Sequence, residues 1–177
     1  MVFTGNGKGK TTAALGQAIR ALGEEKRVLM VQFIKGPWQS GEDFFLKKFS
    51  IQHSTFNIVK TGRGFVGILG DSLFPEEHKK AAEDGLAFAR KEIESGMWDI
   101  VILDEINNAV SLGLISEDKV LELLDLSNLP TCKLEHLIFT GRDAPKEFID
   151  RADLVTEMRD IKHPYDTGVK AKRGIEY

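Results

Sequence analysis

The sequence predicts an α/β fold, in which helices cover both faces of a mostly parallel sheet of about six strands. Two observations support this prediction. Short apolar runs alternate along the chain with longer segments in which apolar residues recur at helical spacing. The apolar runs are also continuous rather than alternating, which is typical of strands buried on both faces. A length of 177 residues fits a single domain over 1–177.

The first elements follow one another with short connections. A strand is predicted at Val2–Thr4, and a helix with one apolar face is predicted at Thr11–Leu22. Gly23 comes directly after the last apolar position of this helix and is predicted to end it. A buried strand follows at Val28–Phe33.

The middle of the chain is predicted to contain a long loop. A short helix at Asp43–Phe49 and a weaker strand at Phe56–Val59 precede it. Residues 61–74 contain four glycines and are predicted to be irregular. Loops of this length in compact domains are usually functional or mobile. A long helix is then predicted over 75–94, because proline suits the first turn of a helix.

The second half of the chain repeats the alternation of strand and helix. The most apolar strand is predicted at Ile100–Leu103, and Ser116 is predicted to be the N-cap of a later helix. The remaining elements are a strand at His136–Thr140, a short helix at Ala144–Arg151, a last strand at Leu154–Met158 and an irregular tail over 162–177.

Composition excludes several classes of protein. With a formal net charge of −3, the chain lacks the basic bias of a nucleic-acid binder. No apolar run approaches the roughly 18 residues that span a bilayer, and the first residues lack the pattern of a signal peptide. Cys132 is the single cysteine, so an internal disulfide and a multi-cysteine zinc site are excluded. We therefore expect a cytoplasmic protein that binds neither nucleic acid nor membrane.

A glycine- and lysine-rich segment stands between the first strand and the first helix. Gly9-Lys10-Thr11 matches the end of the phosphate-loop pattern G-x-x-x-x-G-K-[ST], whereas Thr4 stands where that pattern has its first glycine. Backbone N–H groups and the helix N-terminus favour phosphate oxygens, Lys10 can neutralise their charge, and the Thr11 hydroxyl can bind Mg²⁺. The predicted nucleotide contacts are Thr4, Gly5, Asn6, Gly7, Lys8, Gly9, Lys10, Thr11 and Thr12.

Two acids follow the most apolar strand. Asp104 and Glu105 resemble the end of a Walker B strand, where a carboxylate can hold Mg²⁺ opposite Thr11. We therefore predict Lys10, Asp104 and Glu105 as catalytic residues, and Thr11, Asp104 and Glu105 as magnesium ligands. Together with the loop, this pair indicates a P-loop NTPase fold of the RecA-like branch, a three-layer sandwich.

Three further residues are candidates for ligand contacts. Arg142 follows a strand at the edge where open α/β sheets bind ligands, so it can reach phosphate or substrate. The alternative is an ordinary exposed loop arginine. Trp38 and Phe65 lie in glycine-rich loops and can line a ligand pocket. The alternative for these two rings is packing against the core.

Several motifs occur together over almost the whole chain. They are Phe3–Thr12, Val31–Gly36, Gly64-Phe65, Leu103–Glu105 and Thr140–Arg142, followed by a tail with Lys162–Asp166, Gly168, Lys170-Ala171 and Gly174–Tyr177. In this combination the sequence resembles the P-loop type of cob(I)alamin adenosyltransferase. The phosphate loop, with Thr4 at the first glycine position, also resembles the loop of that family.

The resemblance implies a reaction and its participants. Cob(I)alamin or another reduced corrinoid attacks the 5′ carbon of ATP, giving an adenosylated corrinoid and tripolyphosphate, with Mg²⁺ at the phosphates. Phe65 and Trp38 are then the expected corrinoid contacts, although Gly67 occupies a position where many relatives have tryptophan. The resemblance also implies a homodimer and a separate reductase, expected to be a flavoprotein, that converts Co(II) to Co(I).

Two other functions are compatible with a phosphate loop alone. A nucleoside kinase would need an acceptor hydroxyl and a base beside it, and such kinases commonly carry a cysteine zinc site that Cys132 alone cannot form. A non-catalytic ATP-dependent switch or DNA-bound ATPase is the second alternative. The acidic net charge argues against DNA as its partner.

Overall fold

A single sheet of parallel strands forms the centre of the molecule. The computed structural model describes residues 1–49, 55–68 and 70–175. Within them the sheet has six strands in the order β3-β2-β4-β5-β1-β6, and all neighbouring pairs are parallel. The predicted α/β fold is therefore confirmed. The strands are β1 (Val2–Thr4), β2 (Val28–Gln32), β3 (Phe56–Lys60), β4 (Ile100–Asp104), β5 (His136–Thr140) and β6 (Val155–Glu157).

Helices connect the strands and cover both faces of the sheet. The α-helices of the described residues are α1 (Lys10–Gly23), α2 (Gly41–Lys48), α3 (Pro75–Glu94), α4 (Ile106–Ser111), α5 (Glu117–Ser127) and α6 (Lys146–Arg151). Within this part of the chain, none of them is long and apolar enough to cross a membrane.

Alternate residues of the central strands enter two separate apolar cores. In β4, Val101 and Leu103 pack in a core with residues of α3, α4, α5 and α6, whereas Ile100 and Ile102 pack in a core with α1. This division follows from the period of two along a strand. The small residues of α1 that face the sheet allow the helix to approach closely; they are Ala14, Ala18 and Ala21. The result is a three-layer sandwich.

Three helix boundaries differ from the predicted ones in their cause or their position. The first helix ends at Gly23, as predicted, but the left-handed residue beyond it is Glu25, with φ 58°. Ser116 precedes α5, as predicted for its N-cap, but its side chain makes no capping hydrogen bond. The last helix starts at Lys146 instead of Ala144, because Pro145 takes an extended conformation and occupies the N-cap position.

Two short helical segments were not predicted. The six-residue α4 begins directly after β4, and Glu105 at its N-cap has a left-handed φ of 63°. In the tail, which was predicted to be irregular, Pro164–Thr167 form a 3-10 helix.

The strand order places four loops at one edge of the sheet. Strand β5 lies between β1 and β4, and β2 lies on the other side of β4. Because parallel strands end at the same edge, Gln32, Asp104, Thr140 and the glycine-rich loop after Thr4 come together there.

Candidate active site

The loop between β1 and α1 is bent by glycines and packed against the chain that follows β6. Gly5 and Gly9 have left-handed φ values of 92° and 117°. A Cβ on Gly5 would stand 2.4 Å from the Met158 carbonyl oxygen, and a Cβ on Gly7 would stand 2.6 Å from the Arg159 backbone. The Gly7 N–H also donates to the Met158 carbonyl at 2.7 Å. Close approach of backbone therefore requires glycine at both positions.

Lys10 directs its ammonium group into this loop. It is the first residue of α1 and its relative exposure is 8%. Its Nζ donates to the carbonyl oxygens of Gly5 and Gly7, both at 2.7 Å. Burial lowers the pKa of Lys10, and the Glu105 carboxylate opposes that shift. The lysine charge and the helix N-terminus thus lie at the same point, as an anion site requires.

Asp104 is the buried carboxylate at the centre of the site. Its Oδ1 accepts hydrogen bonds from Thr11 Oγ1 at 2.9 Å and from Thr140 Oγ1 at 2.7 Å. Its Oδ2 accepts one from Gln32 Nε2 at 3.0 Å, and Lys35 Nζ lies 3.6 Å away. The structure thus brings together Thr11 and Asp104, which are far apart in sequence.

A second charged pair lies beside Asp104 and was missed by the sequence reasoning. Lys35 Nζ donates to Glu42 Oε1 at 2.7 Å, and Gln32 Nε2 donates to the same oxygen at 3.3 Å. Burial would raise the pKa of Glu42, but Lys35 and these hydrogen bonds lower it to about 2. The one sequence signal was Gln32, a polar residue at the end of an apolar strand.

Glu105 has an unusual backbone and an unusual acidity. Its N–H donates to Thr140 Oγ1 at 3.0 Å. Burial and the neighbouring Asp104 raise the pKa of Glu105 to about 7, against the effect of Lys10. A left-handed non-glycine residue costs about 1–2 kcal/mol, and such strain is concentrated at functional sites.

Arg142 lies on a loop that α4 holds in place. Its N–H donates to Asn108 Oδ1 at 2.6 Å, and Asn107 Nδ2 donates to the Gly141 carbonyl at 3.1 Å. The side chain is exposed, but its charge is near enough to lower the pKa of Glu105. The fold therefore places Arg142 beside the acidic pair.

The other predicted contacts of the loop differ in their surroundings. Thr4 is buried, its Oγ1 accepts a hydrogen bond from the Ala144 N–H at 3.2 Å, and its carbonyl accepts one from Met158 N–H at 2.8 Å. These contacts join β1 to its neighbours. Asn6 in the loop and Thr12 in the first turn of α1 are exposed.

The C-terminal tail returns to the loop. Lys8 Nζ donates to the carbonyl oxygen of Ile175 at 2.9 Å. The Arg173 guanidinium lies 5.3 Å from the centre of the Phe44 ring on α2. Of the tail motif, Glu176 and Tyr177 lie outside the described residues. The tail therefore contacts both the phosphate loop and α2.

Trp38 and Phe65 form an exposed aromatic pair. Their ring centroids are 6.3 Å apart, and their relative exposures are 57% and 49%. The Trp38 ring lies over two glycines, because a Cβ on Gly36 or Gly64 would stand 2.5 or 2.8 Å from it. The alternative that these rings pack into the core is therefore wrong.

The oxygen atoms around Asp104 fit Mg²⁺. A hydroxyl from Thr11 and carboxylates from Asp104 and Glu105 are the hard ligands that this ion prefers. The buried Gln32 Oε1, on the residue that bonds Asp104, has no hydrogen-bond partner among the described residues. In that part of the chain no group of three or more His, Cys, Asp or Glu side chains could hold a metal. Mg²⁺ at phosphates commonly uses only one or two protein ligands.

The sheet order and the loop geometry define a class. A phosphate loop stands at a helix N-terminus and faces an acidic strand end across one intervening strand. This arrangement defines a P-loop nucleotide-binding protein with a three-layer α/β fold.

Comparisons with known proteins narrow this class to one family. The model of the family described as ATP:corrinoid adenosyltransferase BtuR/CobO/CobP matches residues 1–177. A corrinoid adenosyltransferase of Escherichia coli (strain K12) is 36% identical over 177 residues, which cover 100% of this chain and 84% of that protein. The corrinoid adenosyltransferase CobA of Salmonella typhimurium is 35% identical over 182 residues, with 100% and 84% coverage. The chain therefore belongs to the ATP:corrinoid adenosyltransferase family, a family of enzymes that transfer an alkyl group.

Proposed function

We propose that this protein transfers the 5′-deoxyadenosyl group of ATP to cob(I)alamin or another reduced corrinoid and releases tripolyphosphate. The observation that carries the leaving-group assignment is the position of Lys10. Its ammonium lies inside the glycine loop, and the next residue, Thr11, contacts Asp104. Such a site suits a polyanion, and family membership supports the corrinoid acceptor.

The proposed step moves two electrons and no proton. The electron pair of Co(I) forms a bond to C5′ of ATP, while the C5′–O5′ bond breaks and its electron pair leaves with the triphosphate. Cobalt is formally oxidised from Co(I) to Co(III). Since the nucleophile is a metal-centred electron pair, the step needs no general base. The protein's task is to stabilise the leaving group and to align the reactants.

The leaving group is stabilised by the phosphate loop and its cations. We assign Lys10, Lys8 and the backbone N–H groups of the loop to the phosphate oxygens. Mg²⁺, held by Thr11, Asp104 and Glu105, would neutralise negative charge on the triphosphate when bound. The remaining predicted nucleotide contacts, including Arg142, are part of the same proposal.

The acceptor is assigned to the aromatic pair. A corrinoid is a large flat macrocycle, and exposed aromatic rings provide an apolar surface for such a ligand. Trp38 provides a second ring beside Phe65, although Gly67 has no side chain to offer there. We further propose that a separate flavoprotein reduces Co(II) to Co(I) and that the enzyme acts as a homodimer, as the family resemblance implies.

Absorbance spectroscopy tests this function directly. The protein is mixed anaerobically with ATP, Mg²⁺ and chemically reduced cobalamin, in dim light. We expect a product whose Co–C bond is destroyed by light, together with one equivalent of tripolyphosphate. Folded protein that gives no photolabile product would refute the proposal. Release of separate phosphate and diphosphate during transfer would refute the leaving group alone, and formation of ADP would favour a kinase.

A further inference from the structure

Asp71 accepts several hydrogen bonds within the loop that carries Phe65. The term aromatic loop is used here for residues 61–68 and 70–74. Asp71 Oδ2 accepts hydrogen bonds from the Gly67 N–H at 2.8 Å and from His78 Nε2 at 2.9 Å. Asp71 Oδ1 accepts one from the Leu73 N–H at 3.1 Å. One carboxylate therefore joins two points of the aromatic loop to the first turn of α3.

The two side chains of this pair are enclosed although the loop is on the surface. The relative exposures of the His78 and Asp71 side chains are 3% and 8%. The N–H groups of Gly67 and Leu73, followed by His78, lower the pKa of Asp71. Its carboxylate stays ionised and therefore accepts all three hydrogen bonds. Hydrogen bonds to charged groups are stronger than those between neutral groups.

The Gly67 contact fixes the backbone two residues after Phe65. Gly67 has a left-handed φ of 68°, so the chain turns there. The same turn leaves the Phe65 ring 49% exposed and in contact with Trp38. Asp71 thus bonds the residue that sets the direction of the chain after Phe65.

An open cleft of about 570 Å³ lies between the aromatic loop and α3, lined by Arg63 and Leu73 of the loop and by Ala81 and Phe88 of the helix. The start of the loop is packed more closely, since a Cβ on Gly85 would stand 2.5 Å from Thr61 Oγ1. The helix α3 itself is anchored in the core through Ala82, Leu86 and Ala89. The His78–Asp71 contact therefore links Gly67 and Leu73, which lie beyond the closely packed start of the loop, to a helix anchored in the core.

We propose that Asp71 and His78 are positioning residues that hold the aromatic loop so that Phe65 and Trp38 meet the corrinoid. This inference rests on the proposed function, because it assigns the aromatic pair to the acceptor. The two residues act through the loop backbone. Substitution of either residue is expected to weaken corrinoid binding. Nucleotide binding, which the phosphate loop provides, should stay unchanged.

Fluorescence gives a readout that does not depend on activity. The chain has two tryptophans, and Trp98 lies before β4, at the opposite edge of the sheet from the site. In a Trp98→Phe background, Trp38 is the only tryptophan, and acrylamide quenching reports its accessibility. We expect His78→Ala and Asp71→Asn to raise the quenching constant about twofold, because a freed loop withdraws Phe65 from Trp38.

Kinetics of the same variants test the effect on the acceptor. We expect the KM for the corrinoid to rise about tenfold, the size of one lost hydrogen bond to a charged group, while the KM for ATP stays within about twofold. His78→Gln places an amide donor near the position of Nε2 and should recover most of the wild-type behaviour. Asp150→Asn, which removes an exposed ion pair with Lys146 on α6, is the matched control and should leave both readouts unchanged.

The outcomes separate the two proposals. The positioning role would be overturned if His78→Ala and Asp71→Asn gave the same quenching constant and the same corrinoid KM as the Asp150→Asn control. An equal rise in both KM values would also overturn it, since it would indicate a general loss of structure. If the wild-type protein forms no adenosylated corrinoid, the proposed function fails. The quenching comparison then still decides whether Asp71 and His78 hold the loop.

Discussion

Asp104 carries a buried negative charge that is stabilised by polar neighbours on β2, β5, α1 and the loop after β2. Thr11, Thr140 and Gln32 donate hydrogen bonds to it, and Lys35 lies within 3.6 Å. A buried charge is tolerated only when its hydrogen bonds and counter-charges are in place. These contacts hold the carboxylate against the Thr11 hydroxyl, so two of the proposed magnesium ligands are already adjacent in the free protein.

Lys10→Ala is expected to reduce the rate of adenosyl transfer by at least about 100-fold, the typical effect of removing one group that stabilises developing charge. The folded structure should persist, because alanine is compatible with the first turn of α1. Turnover measured by absorbance and folding measured by circular dichroism check this prediction. Lys79→Ala, which removes an exposed lysine of α3, is the control. Near-normal turnover in Lys10→Ala would remove the loop lysine from the mechanism.

Trp38→Ala is expected to raise the KM for the corrinoid about tenfold, because a stacked aromatic ring contributes about 1–3 kcal/mol. The KM for ATP should stay within about twofold, and Trp38→Phe should keep most of the activity. Steady-state kinetics with each substrate varied in turn provides the measurement. Phe49→Ala removes a comparably exposed ring, at 61%, from the end of α2 and serves as the control. An unchanged corrinoid KM in Trp38→Ala would show that the acceptor binds elsewhere.

Residues that belong to a local motif could be predicted, and residues that act through contacts distant in sequence could not. Lys10, Thr11 and Asp104 stand in recognisable patterns beside a strand. Thr140 was noted within a motif, but its bond to Asp104 depends on β5 lying between β1 and β4. The His78–Asp71 contact was missed for a similar reason, since neither residue stands in a pattern with a known chemistry.

At the scale of elements, burial made the strands predictable. Apolar runs such as Ile100–Leu103 are covered on both faces and therefore carry a strong signal. The helix α4 carries little signal, because it has six residues and follows directly on a left-handed Glu105 at its N-cap, with no glycine or proline to mark the turn. Helix α2 was placed within two residues of its position, although its link to the sheet through Glu42 was not foreseen.

Glu42 connects α2 to the edge of the sheet, and this link should make stability depend on pH. The pKa of Glu42 is lowered to about 2 in the folded protein, below its ordinary value of 4.5. Its contribution to stability is therefore fully present above about pH 4.5 and is lost as the pH falls towards 2. Glu42→Gln should lower the free energy of unfolding at pH 7 by about 1–3 kcal/mol. It should also make the free energy of unfolding depend less steeply on pH below 4.5.

Urea denaturation at pH 7 and at several values between 5 and 3 measures this dependence. Glu122→Gln, which removes the partner of an exposed ion pair with Arg90 on α3, is the control and should change little. If Glu42→Gln and wild type lose stability in parallel on acidification, the Lys35–Glu42 contact does not contribute as inferred.

At the scale of the whole molecule, the segment that follows β6 lies beside the phosphate loop and α2. The apolar cores of the described residues contain nothing beyond Ala152, so the tail adds little to the packed interior. The tail nevertheless reaches the phosphate loop at Lys8 and α2 at Phe44. A segment with functional contacts and no core contacts is expected to affect binding more than folding.

A chain that stops after Ile161 is therefore expected to keep its melting temperature within about 2 °C, because it loses no core residue. A change in the free energy of unfolding below about 1 kcal/mol shifts the thermal transition by only a few degrees. Its KM for ATP should rise about tenfold, because Lys8, which is assigned to the phosphate oxygens, loses the hydrogen bond to the Ile175 carbonyl that orients its ammonium group. Phe44→Ala removes the contact with Arg173 but keeps the hydrogen bond between Lys8 and Ile175, so it should give a smaller increase. Calorimetry and ATP-dependent kinetics on the three proteins check both parts. A large fall in melting temperature would place the tail in the structural core, and unchanged ATP kinetics would show that its contact with Lys8 has no role in binding.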